Sequence, residues 1–144
     1  SVIESFVTHI PTSHEYNRQC LEWLLRNPEI TTETLEQSAY MHKNIPSVLF
    51  VIANHINTST STLDFIVEQA KSCSKDQQDR IFSSIAINPH TTTRTLTAIE
   101  HFTDAGTSFF LAHHPNVSRE TLKRLAENNV DYVAEVAKKK LDIK

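Results

Sequence analysis

The sequence predicts an all-α fold, an α-solenoid in which about five helix pairs stack into a superhelical array, and three observations lead there. A short motif recurs four times, about every 26 to 33 residues, with no slip inside any copy. The 144 residues include one glycine and five prolines, and the prolines fall mostly where apolar, helically spaced segments break off. Strands are needed nowhere to account for the pattern.

Each copy opens on an apolar or small-residue step that runs into a turn. The four are Leu24-Leu25-Arg26-Asn27-Pro28, Ile52-Ala53-Asn54-His55-Ile56, Ile85-Ala86-Ile87-Asn88-Pro89 and Leu111-Ala112-His113-His114-Pro115. A hydroxyl residue follows (Thr31, Ser59, Thr92, Ser118), then Thr34, Thr62, Thr95 or Thr121 three positions on, then Leu35, Leu63, Leu96 or Leu122. Proline cannot continue a helix and pushes the residue before it out of the α region, so Asn27, Asn88 and His114 mark helix ends. The hydroxyl is the N-cap of the next helix, accepting from a free N–H of its first turn. Ile30 and Val117, just before their caps, can staple onto Leu35 and Leu122 at the fourth helical position.

Cap-to-cap spacings are 28, 33 and 26 residues, too long for one ordinary helix and right for two short ones. Second breaks fall inside the intervals at Asn44-Ile45-Pro46, Ser72-Cys73-Ser74, Phe102-Thr103-Asp104 and Asn128-Asn129. The expected helix pairs are therefore about 1–26, 31–54, 59–87, 92–113 and 118–141, within one repeat domain of units 1–27, 28–55, 56–88, 89–114 and 115–144. Units of this kind bury a continuous core only by stacking on one another.

In chain order, Val2, Ile3, Phe6, Val7 and Ile10 have helical spacing up to Pro11, and Thr12 or Ser13 is the expected cap of the next helix, which carries Tyr16, Cys20, Leu21, Trp23, Leu24 and Leu25. The first helix leaves only a narrow polar face for the end of a stack, which a preceding repeat or a partner would cover. Val48 to Ala53 is apolar all round, as suits a helix between neighbours. The third pair is longest, and its extra residues should lengthen a helix by about a turn into a protruding ridge. Gly106 in the fourth pair suggests close backbone approach. The fifth ends in Ala137-Lys138-Lys139-Lys140, with Lys144 beyond, and reads as a polar cap at the end of the array, where cations complement the helix dipole.

The last unit carries a resemblance. His114-Pro115, Leu122 to Ala126, and Val133 with Val136-Ala137 are similar to the leucine-rich repeat variant, a bacterial all-helical solenoid family with an asparagine-proline turn, a Leu-x-x-Leu-Ala helix and a Val-x-x-Val-Ala helix. The likeness is partial at Asn27 and Asn88 and weakest at His55. The family's founding member is associated with a cysteine-ligated iron–sulfur cluster; this chain has only Cys20 and Cys73, so no such cluster carries over and no cofactor is expected. The family's arginine after the first valine is Ala134 here. The units exceed the family's compact repeat, so the second helix should be α rather than 3₁₀, and a HEAT-like helical array is the nearest alternative description.

A formal net charge of −3 gives no global electrostatic footprint for nucleic acid. Two cysteines make no disulfide framework, no apolar run approaches the length of a membrane span, and no signal peptide is visible; together these point to a cytoplasmic protein. The absence of methionine at Ser1 suggests a trimmed chain or an excised piece of a larger protein.

Aligning the second helices puts Leu24, Ile52, Ile85, Leu111 and Val136 in one column and Leu21, Leu49, Phe82, Ser108 and Val133 in another, both expected core. Two mixed columns, Trp23/Val51/Ser84/Phe110/Glu135 and Gln19/Ser47/Arg80/Gly106/Asp131, suit a concave binding surface. The candidate groove is Tyr16, Gln19, Trp23, Val51, Gln77, Arg80, Ser84 and Phe110, rich in the Trp, Tyr and Arg that anchor interfaces.

No tight metal-ligand spacing occurs among the eight histidines, and His55 and His114, in the Asn place of their turns, are read as satisfying helix-end carbonyls. Cys20 and Cys73 have no paired base, and Glu100, His101 and Asp104 diverge around a helix. The sequons at Asn57 and Asn116 coincide with repeat caps. The expected function is a non-enzymatic protein- or peptide-binding scaffold, without metal or catalytic residue. The alternative is a nucleic-acid-binding array using Lys75, Arg80, Lys123, Arg124 and the Lys138 run.

Overall fold

The first turns of the helices carry the repeat's punctuation. In the computed structural model, which describes residues 2–143, Thr31, Ser59, Thr92 and Ser118 each accept from the backbone N–H three residues on, capping the helices Thr32–Met41 (α3), Thr60–Ala70 (α5), Thr93–Ile99 (α7) and Arg119–Leu125 (α9). Each cap hydroxyl also bonds the hydroxyl of the threonine three residues on, at 2.9 to 3.0 Å. That threonine takes the place of the Glu or Gln of a capping box.

Ahead of α3 lie Val2–His9 (α1) and Glu15–Leu25 (α2), and the second helices of the later pairs are Pro46–Asn54 (α4), Lys75–Ile87 (α6), Ala105–His113 (α8) and Asp131–Ile143 (α10). Among the described residues there is no strand. The second helices are α, and the one 3₁₀ turn, Glu100–Phe102, continues the first helix α7 instead. The residue α2 starts from is His14, without a side-chain cap bond, rather than Thr12 or Ser13. Ser74 and Gln77 form a reciprocal capping box on α6, and Asp104 caps α8. The length of the third pair goes mainly into α6, 13 residues against nine in each of α4 and α8. Lys144 and Ser1 lie outside the described residues.

Neighbouring helices pack in two rows. The second helices α2, α4, α6, α8 and α10 lie side by side in chain order, and the first helices α1, α3, α5 and α7 do the same beside them. The core runs between the rows: Leu35, Leu63 and Leu96 at the fourth helical position meet Leu49, Ile52, Phe82, Ile85 and Leu111, each at most 1% exposed. Both expected core columns are buried in the interior helices; at the ends Leu24 and Val136 are half-buried.

A hydrogen-bond ladder joins the turns. His55 Nε2–H donates to the Asn27 carbonyl, Asn88 Nδ2 to the His55 carbonyl, His114 Nε2–H to the Asn88 carbonyl, and Lys140 Nζ to the His114 carbonyl, at 2.8 to 3.1 Å. In both histidines Nδ1 accepts a backbone N–H two residues on, which leaves the proton on Nε2. In Asn88 the amide does the same work, Oδ1 accepting the His90 N–H while Nδ2 donates across the stack. Histidine and asparagine are thus interchangeable in chemistry here, each pairing one local acceptor with one long-range donor.

The rungs also alternate. In the His turns, Asn57 donates to the Ile30 carbonyl and Asn116 to that of Thr91, while Thr32 and Thr93 donate back to the Asn57 and Asn116 carbonyls. The sequon asparagines are therefore occupied by backbone. The first two hairpins and the next two repeat this bonding, making a larger unit of two.

Candidate functional site

The row of second helices presents its outer side as two adjoining depressions. Glu22 and Arg26 of α2, Pro46, Ser47 and Phe50 of α4, and Gln77, Arg80 and Ile81 of α6 line the first, about 210 Å³. The second, about 290 Å³, lies between α4, α6 and α8, from Asp79, Arg80 and Ser83 to Gly106, Thr107 and Phe110, with Phe50 on its α4 side. Phe50 and Arg80 belong to both. The guanidinium of Arg80 stands 5.3 Å from the centre of the Phe50 ring, a cation–π arrangement, and makes no ion pair among the described residues. Glu22 accepts from the Ser47 hydroxyl at 3.1 Å, and Arg26 donates to the Glu22 carbonyl.

Of the expected groove residues, Gln77, Arg80 and Phe110 line these depressions. Tyr16, Gln19 and Trp23 are exposed on α2, but Trp23 lines a separate hollow with Leu24, Arg26, Asn27 and Pro28. Val51 and Ser84 depart from the expected exposure, at 3% and 2%, although Val51 still borders a hollow with Arg26, Phe50, Asn54 and His55. Both lie on helices flanked on each side, as does Phe110 of the same column, which stays 37% exposed, and the Ser84 hydroxyl donates to its own helix at the Arg80 carbonyl. On α2, α4 and α6 the lining residues are one position earlier, Glu22, Phe50 and Ser83, a rotation of about 100°, whereas on α8 Phe110 keeps the expected column. Phe50, the one partly exposed residue of the otherwise buried run 48–53, was hidden by the uniform apolarity of that run. Beyond Phe110 an aromatic cluster continues the face, Phe109 meeting Phe110, His113 and Tyr132 edge-on at 4.5 to 6.1 Å.

Gly106 is a second correction. A β-carbon there would meet only Asp104 Oδ1, at an ordinary 3.7 Å, so no close backbone approach requires glycine. Its place is instead at the open edge of the second depression.

The basic residues considered for nucleic acid are spread over three helices, Lys75 and Arg80 on α6, Lys123 and Arg124 on α9 and the Lys138 run on α10. Arg80 lies in the groove, Lys75 pairs with Asp79, and Arg124 on α9 makes a two-pronged contact with Glu100 at 2.7 and 2.9 Å. The Glu100 side chain is only 6% exposed. Burial alone would raise its carboxyl, but the bonds from Arg124 and Thr121 outweigh it and hold the group below the usual glutamate range. Asp104, accepting from the Thr107 N–H at 2.8 Å, is lowered chiefly by that bond. Burial pushes the Cys73 thiol up, which works against a thiolate. Among the described residues no group of three or more His, Cys, Asp and Glu could hold a metal ion, and no helix is long and apolar enough to cross a membrane.

Comparison of the chain with protein-family models, curated proteins and solved structures finds no significant match to any of them.

Proposed function

We propose that the chain is a non-enzymatic α-solenoid segment of the leucine-rich repeat variant or HEAT-like kind, cytoplasmic, that binds a protein or peptide along its second helices. The observation that carries this reading is the Phe50–Arg80 pair. An arginine without an acidic partner, stacked on an aromatic ring where two hollows meet, offers an incoming chain a flat apolar surface and a cation whose donors are free to bond. Arginine and aromatic residues in such a setting are the usual anchors of interfaces. The rim supplies polar groups of both signs, Glu22, Arg26, Asp79 and Asp104, which suits a peptide with side chains of mixed character better than a polyanion.

The test is selection from a random peptide library displayed on phage. Enriched peptides should bind the purified chain and weaken at least about tenfold, roughly 1.4 kcal/mol, on Arg80→Glu or Phe50→Ala. Tyr40→Ala, on the opposite row, should leave them unchanged. No enrichment, or peptides indifferent to both groove variants, would discard the reading. A parallel titration with single-stranded oligonucleotide across salt concentrations reads the alternative, since phosphate contacts make affinity fall steeply with salt.

A further inference from the structure

The N-terminal end of the rows is built like an interior step whose neighbour is missing. On α1, Val2, Ile3 and Phe6 are 87%, 40% and 45% exposed, and on α2 Tyr16 and Trp23 are 73% and 72% exposed. Trp23 occupies the column of Val51 and Ser84, which α4 and α6 bury, and of Phe110, 37% exposed on α8. Half-buried Cys20 likewise holds the place of Val48 and Ile81, at 0% and 1%. Two hollows of about 300 and 340 Å³ open here, one lined by Ile3, Glu4, Glu29 and Ile30, the other by Trp23, Leu24, Arg26 and Pro28, and both reach Asn27.

Asn27 is the first rung of the ladder. Its Oδ1 accepts the Glu29 N–H at 2.9 Å, as Asn88 Oδ1 accepts that of His90, so the two amides are held alike. Asn88 Nδ2 then donates to the carbonyls of Ala53 and His55 at the end of the preceding helix. Asn27 Nδ2 has no acceptor among the described residues. The opposite end differs: Lys140 occupies the His114 carbonyl, and α10 exposes Asp131, Glu135, Lys138, Lys139 and Asp142. A second copy offered tail-first would bring a His114 carbonyl already held by Lys140 and, Tyr132 apart, a mainly charged exposed surface on the described part of α10.

We propose that the α1–α2 face docks one further helical hairpin of this same repeat type on its N-terminal side, its second helix lying along α2 against Trp23 and its closing turn carbonyl accepting from Asn27 Nδ2. Continuity with the existing interfaces carries the choice of occupant: the next two hairpins bury this column at Val51 and Ser84, and each later hairpin sends one side-chain donor, from His55, Asn88, His114 or Lys140, to the preceding turn carbonyl. An unrelated globular surface would not present a helix-end carbonyl in register with both hollows. The inference does not depend on the groove reading.

The test uses the 144-residue chain beside an extended one carrying a copy of residues 31–58 ahead of Ser1, which reproduces the step from a His turn to an Asn turn. Trp23 is the only tryptophan, so its emission reports this face alone. In the extended chain Trp23 emission should shift to the blue, acrylamide quenching should fall severalfold, and the added segment should resist protease. Asn27→Asp, which keeps the acceptor and removes the donor, should lower the melting temperature more in the extended chain than in the original. Unchanged quenching with a protease-sensitive extension overturns the proposal, as does an equal effect of Asn27→Asp in both chains. Sedimentation velocity of the original chain supplies the last arm. A concentration-dependent dimer abolished by Trp23→Glu, a change at an exposed position checked by circular dichroism, would give the face to a second copy and overturn the hairpin.

Discussion

The interior of the stack and its N-terminal end use the same residue classes at the same spacing and differ in what covers them. At the column of Trp23, Val51, Ser84 and Phe110, exposure runs from 72% to 3%, 2% and 37%. At the turn, Asn27 and Asn88 share the bond from the N–H two residues on to Oδ1, yet among the described residues only the Asn88 amide donates across to a neighbour. A position in a stacked array has no fixed burial of its own, because the adjacent hairpin supplies half of its surroundings. Removing an interior side chain should therefore be costly, and removing its terminal counterpart should not.

The largest effect is expected at Leu96, 1% exposed in the middle of the first-helix row. Leu96→Ala should destabilise the chain by about 2–5 kcal/mol through lost transfer energy and the cavity left behind. Urea denaturation of both proteins measures it, and a loss below about 1 kcal/mol would mean that the site collapses as an end position would.

Next comes the ladder. His114→Ala would strip the Asn116 N–H of its partner and the Asn88 carbonyl of one of its two donors, the Thr91 N–H remaining, at a cost of about 1–3 kcal/mol. His114→Asn should recover most of that, since Asn88 performs the same pair of bonds one hairpin earlier. Equal losses in the two variants would show that ring volume, and not the paired acceptor and donor, is what the turn requires.

These two sites differ in how far they could be read in the sequence. Leu96 and its cap Thr92 were legible because capping is local: the hydroxyl, the threonine three residues on and the leucine after it interact within one turn. The helix breaks were legible for the same reason. His55 and His114 could be assigned to helix-end carbonyls, but not to which ones, since their acceptors lie 28 and 26 residues away. Thr58 and Thr91, whose buried hydroxyls each close the preceding helix at 2.6 Å, went unremarked because Ile30 and Val117 stand at the same place in the other turns. Of the candidate groove, Gln77, Arg80 and Phe110 line the depressions, while on α4 and α6 Phe50 and Ser83 stand there beside the buried Val51 and Ser84. Sequence spacing locates a helix more readily than its rotation.

Glu100 tests the comparison across the first-helix row, where α7 and α9 are joined by side chains more than by close helix packing. Glu100→Gln weakens two charge-assisted bonds from Arg124 and should cost about 1–2 kcal/mol at neutral pH. Its folded pKa lies below the ordinary value, so the ionised form stabilises the fold above the usual glutamate range, and that contribution disappears as acid takes the group through its lower folded value. The difference between wild type and Glu100→Gln should therefore shrink once the pH falls below roughly 4. A difference unchanged down to pH 3 would mean that the ion pair is not its source.

The smallest effect should come from the largest side chain. Trp23→Ala, at the uncovered end, is expected to change stability by no more than about 0.5 kcal/mol, as surface substitutions usually do. Val51→Ala in the same column removes two buried methyl groups and should cost about 1.5 kcal/mol or more. Parallel thermal melts of the two variants measure the contrast directly. If Trp23→Ala proved the costlier, the indole would already be contributing packing within the α1–α2 pair, and its exposure could not be taken as the mark of an absent neighbour. If the order holds, the energy of this column belongs to the interface between hairpins, and Trp23 has a contribution still to make when that interface forms.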